Sequence, residues 1–317
     1  MEVRNYEHGD EEKIVALWNI CLAQEPITNK LFKRKVLLNP NFDTKGCFVA
    51  EEERNLVGFI LAIVRRVPNE GLGLETDRGW ITVIFVHPDY RGKRVGSLLL
   101  KNAVDFLRLK ERKFVYVCGL SGSSPNFFWP GIDVERYAGT IEFFKKQHFM
   151  IDHYAYGMEK LLDNFEIPSE IKQIEEKMKK EGIIVQLLEK KYEKALLYFL
   201  MTHFPGDWHR HAKGTLGSGI DLSHFIIAVK GSKVIGYCYY EDEHFGPFGV
   251  AESFRRTGLG TTLLFKAIER IRAKGGKRVF LKWADEGPAS SFYSRHGFKI
   301  TRKYAIMRRR IEGDFVV

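Results

Sequence analysis

One turn sequence occurs twice in this chain of 317 residues, at positions 164 apart. The first copy is Arg91–Ser97 and the second is Arg255–Thr261. Each follows an apolar run that ends near Val86 or Val250 and precedes a run with helical spacing of apolar residues. A helix that begins on a glycine-rich turn directs unpaired backbone N–H groups and the positive end of its dipole at an anion. The repeat therefore predicts two copies of one anion-binding domain.

The residues predicted to bind the anion are those of the two turns. They are Arg91, Gly92, Lys93, Arg94, Val95, Gly96, Ser97, Arg255, Arg256, Thr257, Gly258, Leu259, Gly260 and Thr261. Glycine lets the backbone approach an anion closely, and arginine adds a planar fork of donors for phosphate.

Two further matches between the halves lie outside the turns and in the same order. Leu56–Phe59 matches Val234–Tyr237 before the turn, and Phe143–Phe149 matches Phe292–Phe298 after it. Each half alternates strand-like and helix-like segments, with a hairpin before the turn. The fold class predicted is α/β, with a mixed, mostly antiparallel sheet flanked by helices in each half.

A charged segment that contains Pro168 separates the two halves. Its middle, Glu170–Lys180, has the composition of a solvated helix, and we interpret the segment as a linker. The predicted domains are therefore residues 1–163 and 183–317, joined by the linker 164–182.

Composition excludes several classes of protein. No apolar run approaches the roughly 20 residues that span a bilayer, and the N-terminus lacks an apolar signal region. The four cysteines show no metal-ligand spacing, so we expect reduced thiols, a cytoplasmic protein and no metal site. The net charge is +10, but the basic residues form no single block, which favours a polyanionic cosubstrate over nucleic acid.

Taken together, the hairpin, the buried strand, the turn and helix, and the Phe-Tyr before Gly-Phe near Tyr293 resemble the GNAT N-acetyltransferase superfamily. The resemblance covers nearly the whole chain, once per half, as in tandem GNAT proteins. It implies that the backbone N–H groups of each turn hold the pyrophosphate of acetyl-CoA. It also implies that a backbone N–H near Val86 or Val250 polarises the thioester carbonyl. Arg94 replaces a glycine of the family pattern, and its side chain either crowds the pyrophosphate or points outward.

The resemblance assigns proton donation to the leaving thiolate to a tyrosine on the later helix. Tyr293 occupies that position in the second half, whereas the first half has Phe144, which has no proton to donate. The C-terminal half is therefore predicted to be the catalytic one. The alternative interpretation is that Tyr293 is an ordinary helix residue beside the core.

Several residues are candidates for the base that deprotonates the amine. Glu252 lies beside the second turn, and Glu241 and Asp242 end the preceding strand. His209 and His211 lie where the family places its substrate-side helices, as bases or substrate contacts.

The first half carries a longer connection before Phe144, which includes the aromatic and proline-rich segment Pro125–Asp133. This segment either walls a substrate pocket, with Asp133 or Tyr137 replacing the missing tyrosine, or plugs the groove or packs on the other domain. The leading functional prediction is transfer of an acetyl group from acetyl-CoA to a small-molecule or peptide amine. The alternatives are an acyl-CoA-binding sensor or scaffold and a docking module, with homodimerisation left open.

Overall fold

Each half of the chain forms a sheet with helices on its faces in the computed structural model, which describes residues 1–118, 128–163, 165–219 and 221–311. The contacts divide the chain into two units. The first comprises Met1–Pro68, Gly73–Ala155 and the chain from Lys303 onward, and the second comprises Asn69–Leu72 and Tyr156–Arg302. The domains predicted from the sequence are each one continuous stretch of chain, whereas each of these units combines separate stretches. The predicted domain bounds stay a prediction.

The first half alternates strands and helices. In chain order its elements are β1 (Glu2–Asn5), α1 (Glu11–Cys21), α2 (Asn29–Phe32, continued by a π-helical turn, Lys33–Leu37), β2 (Cys47–Glu52), β3 (Asn55–Ile63), β4 (Arg78–Val86), α3 (Val95–Leu109), β5 (Phe114–Val117), β6 (Ile132–Asp133), α4 (Ala138–Lys146) and β7 (Met150–Leu161).

The second half repeats this order with an additional helix at its start. Its elements are α5 (Ser169–Lys180), β8 (Ile183–Leu187), α6 (Glu193–His203), α7 (Asp207–Gly217), β9 (Phe225–Lys230), β10 (Lys233–Glu241), β11 (His244–Val250), α8 (Leu259–Ala273), β12 (Arg278–Asp285), α9 (Pro288–Arg295) and β13 (Lys299–Arg310).

The first unit has the sheet order β1-β2-β3-β4-β5-β13, in which only the β4–β5 pair among these neighbours is parallel. One face packs on α3 and α4, and the other on α1 and α2. Strand β3 is buried from Leu56 to Ile63 because helices cover both of its faces. The C-terminal strand completes this sheet by pairing Met307 with Val117.

The second unit contains the sheet order β8-β9-β10-β11-β12, and β11–β12 is its parallel pair. Helices α8 and α9 cover one face, and α6 and α7 cover the other. The two units therefore confirm the predicted fold class, a mixed and mostly antiparallel sheet flanked by helices.

Helix α5 is a packed element of the second unit. Ile171 and Met178 are buried on the side that faces the core, and Glu175 forms an ion pair with Lys266 of α8. The expectation of a solvated helix in this segment was wrong, because its two buried residues, seven positions apart, lie on one helical face and pack against β8 and α8.

None of the helices in the described part of the chain has both the length and the apolar character needed to cross a membrane. Within those same ranges, no group of three or more histidine, cysteine or acidic residues is arranged to hold a metal ion.

The close packing of Gly46 gives a test of the first unit. A Cβ atom at Gly46 would contact the Ala62 carbonyl oxygen of β3 and lie 2.6 Å from the Phe106 ring. We expect Gly46→Ala to destabilise the protein by about 2 kcal/mol, since the backbone oxygen cannot move aside without shifting the strand. Gly139→Ala is the matched control, because its Cβ would meet nothing within 4 Å inside α4. Thermal unfolding midpoints measure both, and equal midpoints would contradict the packing argument.

Candidate active site

Strand β4 leads into the first repeated turn. A short 3-10 helix, Pro88–Tyr90, follows the strand, and the turn then enters α3. The Arg91 Nε–H donates to the carbonyl of Val86 at 3.1 Å, which ties the turn back to the end of the strand.

Strand β11 leads into the second turn in the same way. The 3-10 helix Glu252–Phe254 precedes α8, and the Arg255 Nε–H donates to the carbonyl of Val250 at 3.4 Å. The Thr257 hydroxyl adds a bond to the carbonyl of Phe254 at 2.8 Å. The two turns thus share one arrangement of supporting hydrogen bonds to the strand end.

The backbone of the turns is matched even where the residues differ. Both turns have a left-handed residue at the same two positions, Gly92 (φ 75°) and Arg94 (φ 64°) in the first, Arg256 (φ 62°) and Gly258 (φ 90°) in the second. Each turn thus has glycine at one position and arginine at the other. The arginine at position 94 has not changed the backbone path, although a non-glycine residue in this region costs conformational energy.

The helix starts leave backbone donors for a ligand. The first helical bonds run from Leu98 N–H to the Arg94 carbonyl and from Thr262 N–H to the Gly258 carbonyl. The N–H groups of the three residues before Leu98, and of the three before Thr262, therefore come before the first hydrogen bond of the helix. Donors at the positive end of a helix, with arginines beside them, fit the diphosphate of a coenzyme.

The second glycine of each turn packs against aromatic rings. A Cβ at Gly96 would lie 3.4 Å from Phe143, and one at Gly260 would lie 3.3 Å from Phe248 and 3.8 Å from Phe292. Phe143 and Phe292 occupy matched positions in the repeat. The start of α3 therefore packs against α4 in the same way as the start of α8 packs against α9.

Both parallel strand pairs open toward their turns. The β4–β5 pairing ends at Ile81 opposite Val117, and β4 continues to Val86. The β11–β12 pairing is confined, among the described residues, to His244 opposite Phe280. An opening beside an anion-binding helix start can admit an extended chain whose phosphate end lies at the helix.

Tyr293 lies at the second opening, on the face that carries α8. Its ring is within 6.4 Å, centroid to centroid, of four phenylalanine rings, which belong to Phe245, Phe248, Phe292 and Phe298. Burial raises the pKa of the Tyr293 phenol well above its usual value, and the neighbouring Cys238 and Asp285 act in the same direction. The phenol therefore stays protonated at neutral pH and can donate a proton.

Phe144 occupies the matched position in the first unit and is fully buried between α4 and the sheet. Its ring contacts Phe143 and Phe149. The position matched to Tyr293 thus carries an aromatic ring without a hydroxyl group in the first unit.

A polar cluster lies on the other face of the second sheet, the face that carries α7. The His211 ring of α7 meets Tyr239 of β10 edge to face at 4.8 Å, and Glu241 pairs with His244 across the hairpin. Lys282 of β12 lowers the pKa of His244 electrostatically. Glu241 and His211 are candidates predicted from the sequence, whereas His244 was not predicted. The polar residues of the hairpin between β10 and β11 could have indicated that a strand begins at His244.

The two imidazoles of this cluster have different surroundings. Burial lowers the pKa of His244 to about 4, assisted by Lys282 and His211. Partial desolvation also lowers the pKa of His211, but the carboxylate of Glu241 opposes that effect. Both rings are therefore neutral at pH 7 and able to accept a proton or a hydrogen bond.

His209 and Glu252 lie apart from this cluster. His209 is buried, with Nδ1 2.5 Å from the Glu70 carboxylate, which also forms an ion pair with Lys213. Glu252 is exposed in the 3-10 helix before the second turn. The roles predicted for them, a substrate contact and a base, stay predictions.

The candidates in the first unit have partners within that unit. The Asp133 carboxylate is buried and accepts the backbone N–H groups of Glu135 and Arg136. The Trp129 indole N–H donates to Glu25 at 3.0 Å, and the Trp129 ring lies beside Trp18 of α1. The described end of the segment Pro125–Asp133 therefore packs within the first unit, and its residues 125–127 lie outside the described ranges. Tyr137, just before α4, packs instead against the core on the face that carries α3 and α4.

Two family models match the chain. Residues 14–126 match the acetyltransferase (GNAT) family, and residues 221–300 match an acetyltransferase (GNAT) domain. An acetyltransferase of Sodalis glossinidius is 30% identical over 102 residues, which are 32% of this chain and 62% of that protein. The chain therefore matches less than two thirds of the length of this relative.

Solved structures show the same fold. The glucosamine N-acetyltransferase region of a fungal β-N-acetylglucosaminidase has a TM-score of 0.78 at 20% identity, covering 97% of this chain and 38% of that one. A tandem GNAT protein from the clavulanic acid biosynthesis pathway has a TM-score of 0.62 at 14% identity, covering 98% of both chains. This chain belongs to the GNAT acetyltransferase family and carries two GNAT domains in tandem.

Proposed function

We propose that this chain is an N-acetyltransferase that uses acetyl-CoA, and that the second unit performs the transfer. The observation that carries this proposal is the pair of matched positions Tyr293 and Phe144. Both rings are buried in the core on the face of their sheet that carries the helix after the turn, but only the second unit has a hydroxyl group there. A buried, protonated phenol beside an anion-binding helix start supports proton donation to a leaving thiolate.

In the proposed reaction, the N–H groups at the start of α8 and Arg255 hold the diphosphate, and the thioester lies in the opening between β11 and β12. The acceptor nitrogen attacks the carbonyl carbon, and the C–S bond breaks as Tyr293 protonates the sulfur. Backbone N–H groups along the opened part of β11 would stabilise the oxyanion.

The proton lost by the amine would pass to the polar cluster on the α7 face. His211 is the candidate base, because Glu241 beside it stabilises the imidazolium ion that forms. His244 stays neutral and would accept a hydrogen bond from the acceptor nitrogen. Glu241 also favours an acceptor that arrives as an ammonium ion, which suits small amines and amino sugars.

The first unit has the coenzyme turn without the phenol, which favours a second role for that unit. We propose that it binds acetyl-CoA without transferring the acetyl group. The competing function for the whole chain is an acyl-CoA sensor or scaffold. The buried ring of Phe144, which has no hydroxyl group to donate a proton, supports it.

Calorimetry with acetyl-CoA and a thiol-release assay test the proposal. We expect binding together with release of CoA thiol when the correct amine is supplied from a panel of amino sugars, polyamines and peptide N-termini. The panel should include glucosamine, because the fungal region with this fold is named for it. Binding without release for every amine would favour the sensor, and no binding would favour a docking module.

A further inference from the structure

The second turn contacts a histidine that has no counterpart in the first. Thr261, in the first turn of α8, places its hydroxyl oxygen 3.1 Å from Nε2 of His296, just beyond α9. The His296 ring is half-buried, with Phe292 at 4.7 Å and Phe265 at 5.5 Å, both edge to face. In the first unit the matched residues are Ser97 and Gln147, and an amide side chain does not titrate in this pH range.

This hydrogen bond can run in either direction. When Nε2 carries no proton, the Thr261 hydroxyl donates its hydrogen to the ring. When Nε2 is protonated, the ring donates to Thr261, and the hydroxyl hydrogen is available for another acceptor. Protonation of His296 therefore turns the Thr261 hydroxyl into a donor toward the helix start.

The surroundings of His296 oppose its protonation in the ligand-free protein. Burial lowers the pKa of His296, and Arg295 and Lys160 lower it further. Lys160 of β7 donates to the His296 carbonyl at 2.7 Å, and α8 faces the ring with Thr261 and Phe265. Within the part of the chain that the structure describes, no carboxylate contributes to this pKa shift, so a bound anion would be a new negative partner for the imidazolium.

We propose that His296 is a positioning residue for the coenzyme diphosphate, acting through the Thr261 hydroxyl to make diphosphate binding by the second unit tighter at acidic pH. This inference rests on the proposed function, in which the second turn holds the diphosphate.

The direction of the pH effect follows from linkage. The bound diphosphate raises the pKa of His296, so binding takes up a proton. Affinity is highest below the pKa of the free protein, falls as the pH rises toward the pKa of the complex, and is constant above it. A nearby opposite charge shifts a pKa by about one unit or more, so we expect binding to be several-fold tighter at pH 5.5 than at pH 7.5, with about tenfold as the limit for a one-unit shift.

Calorimetry with dephospho-CoA at the two pH values tests this inference. Dephospho-CoA lacks the 3′-phosphate monoester, whose own ionisation would add a pH dependence. We expect the wild-type site to show this several-fold change and H296Q, which introduces the residue of the first unit, to lose it. Thr261→Val should also abolish the change, whereas Thr261→Ser, which keeps a hydroxyl, should preserve it.

NMR provides a second measurement that does not depend on affinity. The His296 imidazole resonance, assigned by its absence in H296Q, should titrate at higher pH when dephospho-CoA is bound. An unchanged titration, or equal pH dependence of binding in wild type and H296Q, would overturn the inference and leave the proposed function intact. If wild type bound no dephospho-CoA at either pH, the proposed function and this inference would fail together.

Discussion

Replacing Tyr293 with phenylalanine should lower turnover by about 10²–10⁴-fold, the usual contribution of a positioned general acid. The substitution removes one hydroxyl group and keeps the ring that packs on Phe245 and Phe248. Acetyl-CoA affinity should therefore stay the same while kcat falls. Because the environment raises the pKa of the phenol, the wild-type rate should show no loss of the protonated acid up to the usual tyrosine range. Steady-state thiol release as a function of pH measures both effects.

Tyr237→Phe is the matched control for this substitution. Tyr237 is also a fully buried tyrosine of the second unit, and its hydroxyl has no hydrogen-bond partner among the described residues. Removing an unsatisfied buried hydroxyl should stabilise the fold by about 1 kcal/mol and leave turnover unchanged. If Tyr293→Phe retained wild-type turnover, the assignment of the acid would be wrong. If both variants lost activity equally, the loss would reflect packing instead of proton transfer.

Reversing the charge of Arg255 should weaken acetyl-CoA binding by about 10–100-fold. The reason is the loss of a charge-assisted hydrogen bond, about 1.5–3 kcal/mol, together with repulsion between glutamate and the diphosphate. Arg255 is exposed and is tied to the Val250 carbonyl, so the fold should tolerate the change. Calorimetry on Arg255→Glu gives the affinity, and the unfolding midpoint gives the stability.

Arg91→Glu makes the same change at the matched position of the first unit, where Arg91 is tied to Val86. If both units bind the coenzyme, each variant should weaken one of two binding sites, but only Arg255→Glu should lower thiol release at limiting acetyl-CoA. If Arg255→Glu bound acetyl-CoA with wild-type affinity and stoichiometry, the second turn would not be the diphosphate site. Thiol release lost only in Arg91→Glu would assign transfer to the first unit.

The repeated turn shows how much of the fold can be predicted from local sequence. Its helix starts, its glycines and the strand before it all lie within a few residues, so the pattern was sufficient to predict an anion-binding turn in each half. The family matches confirm the duplication and the fold. What the pattern did not indicate is that Arg94 and Arg256 both adopt the left-handed conformation that a glycine adopts at the other copy.

The polar cluster on the α7 face shows what the local sequence could not predict. His211, Tyr239 and His244 come from α7, β10 and β11, and they meet only because of the pairing register and the packing of α7 on the sheet. The packing of α5 against α8 also depends on tertiary structure. Ile171 and Met178 are apolar residues in a charged segment, and the segment by itself does not indicate that a neighbouring helix covers them.

By itself, the sequence determined that this chain contains two copies of a GNAT fold, and that a phenol is present at one position and absent from its match. The tertiary structure alone decided that Tyr293 lies among four aromatic rings, that His209 pairs with Glu70, and that His296 contacts Thr261. The physical reason is the distance along the chain between the residues that determine each property. Turn dihedrals and helix starts depend on neighbours in sequence, whereas burial, pKa shifts and side-chain contacts depend on elements that are distant in sequence and adjacent in space.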